Sequence, residues 1–290
     1  MGFQRFSGLR AIPSQLRSAL LGLLLAATWA PLAFAADHIV QPHDWQLGFQ
    51  EAATTSKHHI EALHSELLVI ITLIALFVMG LLVYVMIRFN ARANPVPSRT
   101  SHNTVIEVLW TVIPVLILLV IAVPSFKLMY YLDRTPKADM TIKVTGHQWY
   151  WSYEYPDYGD VGFDSNLITD DQLKPGQKRL LEVDNRLVVP VGENIRVLIA
   201  GSDVMHSWFM PSFGVQMYSV VGRLNESWFN VDQPGVYYGQ CNQICGVNHA
   251  FMPIVVEAVS KDDFAKFIDA KKKAAANPAP ASHLVATAAQ

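Results

Sequence analysis

The sequence predicts a two-helix membrane hairpin followed by an all-β domain outside the membrane. Two apolar runs, at residues 67–87 and 105–126, each have about the 20-residue length that crosses a bilayer. From about Ala138 the chain changes to short β-rich runs with turn residues between them. The formal net charge is −2, so the composition gives no reason to expect a nucleic-acid partner.

The first 35 residues read as a secretory signal peptide. Arginines at positions 5, 10 and 17 precede an apolar run at 19–30, and Ala33-Phe34-Ala35 follows as a cleavage motif. We expect cleavage after Ala35, which leaves residues 36–66 as an extracytoplasmic segment. The alternative is a retained third membrane helix, although the run is short and Pro31 interrupts it.

Charge bias orients the predicted hairpin, residues 67–128. Its loop, residues 88–104, carries Arg88, Arg92 and Arg99 and no acidic residue, so the positive-inside rule places it in the cytoplasm. The chain is therefore expected to be a multi-pass protein of a bacterial plasma membrane, with its C-terminal domain in the periplasm. Glu107 lies one turn into the second run. A carboxylate there either reaches the cytoplasmic interface or serves as a proton entrance shared with a partner subunit, and the sequence leaves both open.

Short strands predict a β-sandwich or barrel over residues 129–260. In 195–200, Ile195, Val197 and Ile199 alternate with the other residues, as in a half-buried strand. An amphipathic helix is expected at 261–273, and the Ala/Pro-rich tail up to residue 290 is expected to be disordered. The predicted strands are 141–144, 149–155, 180–183, 195–200, 228–231, 235–239 and 254–259.

A copper ligand set occupies one short stretch of the chain. Cys241, Cys245, His249 and Met252 follow a C-x3-C-x3-H-x2-M spacing, and His206 is the best distant candidate. One Cys, two His and a weak Met suffice for a mononuclear copper site. The second thiolate is surplus to that need and can bridge two metals, which favours a binuclear copper centre that carries electrons. The alternative is a Cys241–Cys245 disulfide in an oxidising compartment.

Aromatic residues crowd the run from His147 to Tyr155, H-Q-W-Y-W-S-Y-E-Y. They either form core and a membrane-facing rim, or present an exposed Trp through which an electron reaches the copper. Nearby carboxylates could attract a basic electron donor, although each alone is typical of a solvated surface charge. The candidates are Glu154, Asp157, Asp160, Asp164 and Asp203.

These motifs closely resemble subunit II of the heme-copper cytochrome c oxidases. The likeness covers nearly all of the mature chain and includes V-I-E-V-L-W-T, G-H-Q-W-Y-W-S-Y-E-Y, L-L-E-V-D-N-R, D-V-M-H-S-W, G-R-L-N, Y-Y-G-Q-C and C-G-V-N-H-A-F-M-P. It implies a cupredoxin-like Greek-key barrel anchored by two helices. It also implies partners, namely oxidase subunits I and III and cytochrome c, and an oxidoreductase activity coupled to proton translocation.

The resemblance also implies residue roles. A two-copper CuA centre would be bound by the five candidate side chains and by the backbone carbonyl of Gln243. Trp149 resembles the point at which electrons from cytochrome c enter, and Glu107 the entrance of a proton path into subunit I. The ligand side chains are His206, Cys241, Cys245, His249 and Met252.

The chain departs from the family pattern at a few positions. Gln243 replaces a glutamate that also binds a magnesium ion shared with subunit I, and an amide oxygen is a weaker ligand for a hard cation. The magnesium site is therefore in doubt. Gln216, Tyr218 and Val221 also differ, on a surface expected to face subunit I. The rival interpretations are a CuA subunit of another terminal reductase, a quinol oxidase subunit and a membrane-tethered copper chaperone.

Overall fold

The computed structural model describes residues 38–159 and 161–276. The predicted signal peptide, the end of the predicted tail and Asp160 lie outside the described residues. Each of the two apolar runs lies within a longer helix: α1 is Thr55–Arg88 and α2 is Thr104–Asp133. Both are long and apolar enough to cross a membrane.

Helix α1 extends well beyond its apolar run. Its 34 residues span about 51 Å, whereas a bilayer core is only about 30 Å thick. Residues 55–66, within the predicted extracytoplasmic segment, are therefore helical and extend α1 on the N-terminal side of its apolar run. The start of α1 is fixed to the β domain, because the Thr54 side chain accepts from the Lys57 backbone N–H (3.1 Å) and donates to the Phe213 carbonyl (2.7 Å).

Eleven strands of the described chain form two sheets. One sheet has the order β5-β11-β10-β7-β8, with β1 added beside β10, and the other has the order β4-β3-β2-β6-β9. The strands are β1 Ile39–Val40, β2 Met140–His147, β3 Tyr150–Tyr155, β4 Val161–Ser165, β5 Leu187–Pro190, β6 Ile195–Gly201, β7 His206–Met210, β8 Val215–Ser219, β9 Asn225–Phe229, β10 Gly235–Cys241 and β11 Pro253–Val259.

The two sheets pack face to face over one hydrophobic core. Alternate residues of β2 and β6, such as Ile142 and Val197, are buried, and they share the core with Tyr237 and Val256 of the other sheet. Neighbouring strands are often distant in sequence, since β2 pairs in parallel with β6 and β10 pairs with β7. This is the predicted sandwich, with Greek-key connections.

One predicted strand is wrong. Residues 180–183 form a turn, in which Val183 makes a single bridge to Leu167. The reason is Glu182, which is buried and pairs with Arg186 (3.0 Å) and with the Tyr238 hydroxyl (2.8 Å). A buried carboxylate needs such partners, and the chain turns to reach them.

Several short strands were not predicted: β1, β4, β5, β7 and β8. The helix predicted over 261–273 is present as α3, Lys261–Ala276. Its aromatic face lies on the domain, with Phe264 buried against Tyr155 (ring centroids 6.0 Å apart) and Tyr158 (5.4 Å).

Candidate metal centre

Two free thiols lie side by side at one end of the sandwich. Cys241 ends β10, and Cys245 lies in the loop that leads to β11. Both side chains are buried, and their Sγ atoms are 3.9 Å apart. That separation is well beyond the roughly 2.05 Å of a disulfide bond. It is short enough for both sulfurs to bind the same metal ions.

His206 reaches the sulfurs from the neighbouring strand. It begins β7, which pairs with β10 so that Trp208 lies opposite Cys241. The ligand atoms of His206 and both cysteines lie within 4.8 Å of one another. Its Nε2 lies 2.9 Å from Asp203 Oδ1, and a carboxylate can only accept, so Nε2 carries the proton. The other nitrogen, Nδ1, is buried with no hydrogen-bond partner, as expected of a ring nitrogen that binds a metal.

The remaining predicted ligands join the same cluster. His249 Nδ1 and Met252 Sδ each lie 3.5 Å from Cys245 Sγ. The Cys241 thiol donates to the backbone carbonyl of Gln243 (3.3 Å), so that carbonyl oxygen also faces the cluster. His249 is half-buried on a short 3-10 helix, whereas Met252 is buried. The structure therefore brings together all five predicted side chains and the predicted main-chain oxygen.

The two thiols do not ionise independently. Burial works against ionisation of Cys241, but the His206 ring and the Ser207 backbone outweigh it and lower the pKa of this thiol. Burial and the nearby charge of Cys241 raise the pKa of Cys245 to about 12. A second thiolate beside the first is thus unfavourable on its own. A thiophilic cation would remove that repulsion, and its binding would release the proton.

Asp203 connects the His206 ring to the aromatic run at residues 147–155. Besides the His206 ring, it accepts from the backbone N–H groups of Val204 (2.6 Å) and Gln148 (2.6 Å). Burial opposes ionisation of Asp203, but the hydrogen bonds from His206 and these two amides outweigh it and lower its pKa. A carboxylate on the outer nitrogen of a metal-binding histidine orients the ring. The sequence analysis missed this role, although the D-x-x-H spacing was a signal for it.

Trp149 packs directly on the loop between β10 and β11, which carries Cys245. Its indole N–H donates to the Cys245 carbonyl (3.3 Å), and the Gln148 side chain donates to the same oxygen (2.8 Å). Gly246 makes this approach possible, because a Cβ there would lie 2.9 Å from Trp149 Cζ2. The half-buried indole therefore connects the predicted ligand Cys245 to the surface of the domain.

A second glycine, Gly146, leaves room for the His206 ring. A Cβ at Gly146 would lie 2.9 Å from Cδ2 of that ring. On another side the Trp151 ring meets it edge-on, with centroids 6.0 Å apart. The His206 backbone N–H donates to Ser219 Oγ (3.2 Å). The sequence marked Gly146 and Trp151 only as part of the aromatic run and its motif, and it did not predict that they and Ser219 surround the His206 ring.

Most of the candidate docking carboxylates have local partners. Glu154 pairs with Lys143 (2.7 Å), while Asp157 accepts from a backbone N–H of β2 and Asp164 from a serine of β3. Asp203 accepts from the His206 ring. Asp160 lies outside the described residues.

Glu107 is not part of the cluster. It lies in the first turn of α2, on the side of the 88–104 loop, whereas the β domain follows the other end of this helix, about 40 Å away. Its carboxylate accepts from the Asn103 backbone N–H (3.3 Å), and the Asn103 side chain accepts from two N–H groups of the first turn. Glu107 thus helps to cap α2.

The predicted magnesium site would be shared with subunit I and would take only part of its ligands from this chain. Among residues 38–159 and 161–276, the only group of three or more His, Cys, Asp or Glu ligands is that of His206, Cys241 and Cys245. The magnesium ion shared with subunit I therefore stays a prediction.

Comparison with known proteins identifies the family. Residues 42–128 match the transmembrane domain of cytochrome c oxidase subunit II, and residues 140–259 match its periplasmic domain. A probable cytochrome c oxidase subunit 2 from Rickettsia bellii is 52% identical over 258 residues, which cover 89% of this chain and 93% of the relative. The chain belongs to the cytochrome c oxidase subunit II family.

A second relative and one solved structure are also similar to this chain. The cytochrome c oxidase subunit 2 of Oenothera berteroana is 50% identical over 230 residues, covering 77% of this chain and 89% of the relative. The crystal structure of the periplasmic domain of subunit II from the Bradyrhizobium japonicum oxidase shares 50% identity. It covers 48% of this chain and 98% of that domain, with a TM-score of 0.46.

Family membership confirms several predictions. This subunit II has the predicted fold, with two apolar helices followed by a cupredoxin-like β domain, and it is a component of an oxidoreductase. It is a membrane protein with an extramembrane C-terminal domain, and its family forms part of a heme-copper oxidase complex. The matched periplasmic domain contains the His206, Cys241 and Cys245 cluster.

Proposed function

We propose that this chain is the electron-accepting subunit of a cytochrome c oxidase and that its cluster holds two copper ions. Electrons would come from reduced cytochrome c and pass to the heme of subunit I, where oxygen is reduced and protons are translocated. The observation that carries the proposal is the pair of free, buried thiols 3.9 Å apart beside a buried, unpartnered His206 Nδ1. When bound, the copper pair supplies a centre that takes up and releases one electron at a time.

The donor chemistry suits copper. Cys241 and Cys245 would hold the two ions together with the imidazoles of His206 and His249. Thiolates and a thioether are soft ligands that favour copper over hard cations such as magnesium. The weaker Met252 sulfur and the Gln243 carbonyl would complete the set.

The surrounding chain holds the ligands still. Cys241 belongs to a strand paired on both sides, His206 begins the neighbouring strand, and Met252 directly precedes β11. Asp203 and the Gln148 and Trp149 side chains fix the loops between these strands. Ligands that cannot rearrange keep the cost of each change in oxidation state low, as electron transfer requires.

Copper counting and electron paramagnetic resonance test the proposal. The copper-saturated full chain should contain two ions and show one unpaired electron shared between them. Cys241→Ser should remove this signature, because the one remaining thiolate would not hold both ions. Met252→Leu should alter the spectrum, whereas Met205→Leu, at a methionine outside the cluster, should not. One ion per chain at saturation, or the spectrum of an isolated copper, would contradict the binuclear assignment.

Trp149 is proposed as the residue through which electrons enter. Its contact with the Cys245 carbonyl gives a short route from the half-buried indole to the ligands. In the assembled oxidase, Trp149→Phe should slow electron uptake from reduced cytochrome c strongly while the copper spectrum stays unchanged. Uptake at the unaltered rate would remove Trp149 from the route.

Glu107 is proposed as the entrance of a proton path into subunit I. Its position at the loop end of α2 supports this role. Glu107→Gln keeps an acceptor for the Asn103 N–H, whereas Glu107→Ala removes both the acid and the helix cap. A proton role predicts that both variants slow oxygen reduction. If only the alanine variant is slow, Glu107 acts as a helix cap alone.

The topology is part of the proposal. The loop at 88–104 would lie in the cytoplasm, the β domain in the periplasm of a bacterium, and the mature chain would begin after Ala35. Subunit III would complete the complex. N-terminal sequencing of the purified mature chain tests the cleavage site. Reporter fusions within 88–104 and after residue 276 test the two sides.

A further inference from the structure

The chain before α1 exposes two large apolar side chains. Trp45 is 98% exposed and Leu47 is 97% exposed, which makes them the most exposed large hydrophobic residues in the described part of the chain. They lie on a turn in which Gln46 bonds back to His43 through both its backbone N–H and its side chain (each 3.3 Å). Gly48, two residues after this turn, has a φ of 90°, in the left-handed region that favours glycine. Such exposure marks a surface that something else covers.

Residues 41–52 form an excursion from the β domain, and both ends of this excursion are fixed to that domain. Strand β1 pairs with β10, which places Val40 beside Tyr237. At the other end, the Ala53 backbone N–H donates to the Ser212 carbonyl (2.9 Å), and its carbonyl accepts from Asp232 (3.0 Å). Residues 41–52 therefore leave the domain and return to it.

The excursion runs along α1, away from the domain. The Phe49 ring packs against His64, with centroids 4.7 Å apart, and Lys57 Nζ lies 3.5 Å from the Phe49 ring centroid. His64 is about 13 Å further along the helix axis than Thr55. Phe49 thus lies close to the level at which the apolar run of α1 begins, at Leu67.

In α2, the outer end of the apolar run lies at the same height as the start of the apolar run of α1. The His59 ring of α1 contacts the Tyr131 ring of α2, with centroids 5.0 Å apart. Further from the β domain, a groove between the two helices is lined by Glu66, Pro124 and Lys127. Lys127 directly follows the apolar run of α2, which ends at Phe126. Both helices therefore place the outer edge of the hydrocarbon region about one turn beyond His64. Trp45 and Leu47 precede Phe49 by four and two residues, so both lie within about 14 Å of it along the chain.

We propose that residues 45–49 form a membrane-interface anchor, which inserts Trp45 and Leu47 among the lipid headgroups of the outer leaflet. Tryptophan is enriched at that depth because its ring is apolar while its N–H stays hydrated. The turn belongs to the same segment as Phe49, which is level with the start of the apolar run of α1, so lipid headgroups rather than a protein partner are its proposed neighbour. Because the excursion is tied to the domain at both ends, the anchor braces the β domain against the membrane.

Site-directed spin labelling of the assembled oxidase tests the anchor. A nitroxide on Trp45→Cys would be measured in nanodiscs of phosphatidylethanolamine and phosphatidylglycerol, with oxygen and a water-soluble nickel chelate as relaxing agents. Insertion predicts an oxygen-to-chelate accessibility ratio several-fold above that of a label on Gln172→Cys, an exposed site on the β domain. The unsubstituted chain, treated identically, reports any labelling of its own cysteines.

Two other outcomes overturn the anchor. A ratio equal to that of the Gln172 label means that the turn is in water. Low accessibility to both agents means that a protein subunit covers the turn. If Trp45→Cys fails to assemble, the same measurement on Leu47→Cys decides between these outcomes, since insertion of the turn requires both side chains to meet lipid.

Discussion

At the scale of single residues, one carboxylate determines what His206 can do. Asp203 accepts from Nε2, so the lone pair of the neutral ring is left on Nδ1, the buried nitrogen without a partner. The same carboxylate accepts from the Gln148 N–H and so holds the segment that carries Trp149. Ligand orientation and the proposed electron route therefore share one side chain.

Asp203→Asn should weaken copper binding by about 10- to 100-fold, the usual cost of losing a partner of a ligating histidine. The amide cannot match a carboxylate that accepts from the ring and from two backbone N–H groups. Competition with a chelator of known copper affinity measures the effect. Asp171→Asn, at an exposed carboxylate away from the cluster, is the matched control. Equal affinities for the two variants would contradict the orienting role.

At the scale of elements, α3 seals one side of the β domain. Phe264 and Ile268 are buried, and Phe264 contacts Tyr155 and Tyr158. The helix begins with a cap, since Ser260 Oγ accepts from the Asp263 backbone N–H (3.2 Å). Its Lys271 ammonium lies 4.2 Å from the Phe163 ring centroid. A short helix of this kind is stable because of its packing rather than its own propensity.

Phe264→Ala should lower the free energy of unfolding of the β domain by about 3–5 kcal/mol, the usual cost of removing a buried phenylalanine side chain. Lys272→Ala, on an exposed position of the same helix, should change it by less than about 0.5 kcal/mol. Urea unfolding followed by near-ultraviolet circular dichroism compares the two. A small loss in the Phe264 variant would mean that α3 is not part of the cooperative unit.

At the scale of the whole molecule, the core contains tyrosines that must stay protonated. Burial, assisted by the charges of Asp232 and Glu51, raises the pKa of Tyr237 to about 12. Burial also raises the pKa values of Tyr153, Tyr155 and Tyr238. These residues come from both sheets, so the fold as a whole resists their ionisation.

The stability of the β domain should therefore fall as pH rises above about 10, the ordinary pKa of tyrosine. Between that value and the raised pKa, the folded state keeps protons that the unfolded state has released, so the free energy of unfolding decreases with pH. Urea midpoints measured from about pH 8 to about pH 11 test this. Tyr237→Phe should make the decline shallower. A midpoint that stays constant over this range would refute the argument.

The sequence by itself determined the features that depend on local composition and spacing. The two apolar runs, the loop arginines and the C-x3-C-x3-H-x2-M stretch each lie within a few turns of chain. Hydropathy and ligand chemistry are properties of the residues themselves. The membrane helices and most of the candidate ligands in the loop could therefore be predicted from the sequence alone. The helices differ from the apolar runs only in where they begin and end.

Tertiary structure alone decided what depends on contacts between distant segments. The pairing of β7 with β10 brings His206 to the sulfurs, and the β2–β3 turn reaches the same loop through Gln148 and Trp149. Residues 180–183 form a turn instead of the predicted strand, and there the buried Glu182 accepts from the Tyr238 hydroxyl. Tyr238 is far away in sequence, so this contact could not be predicted. Burial and pairing are properties of the folded chain, so no local pattern could reveal them.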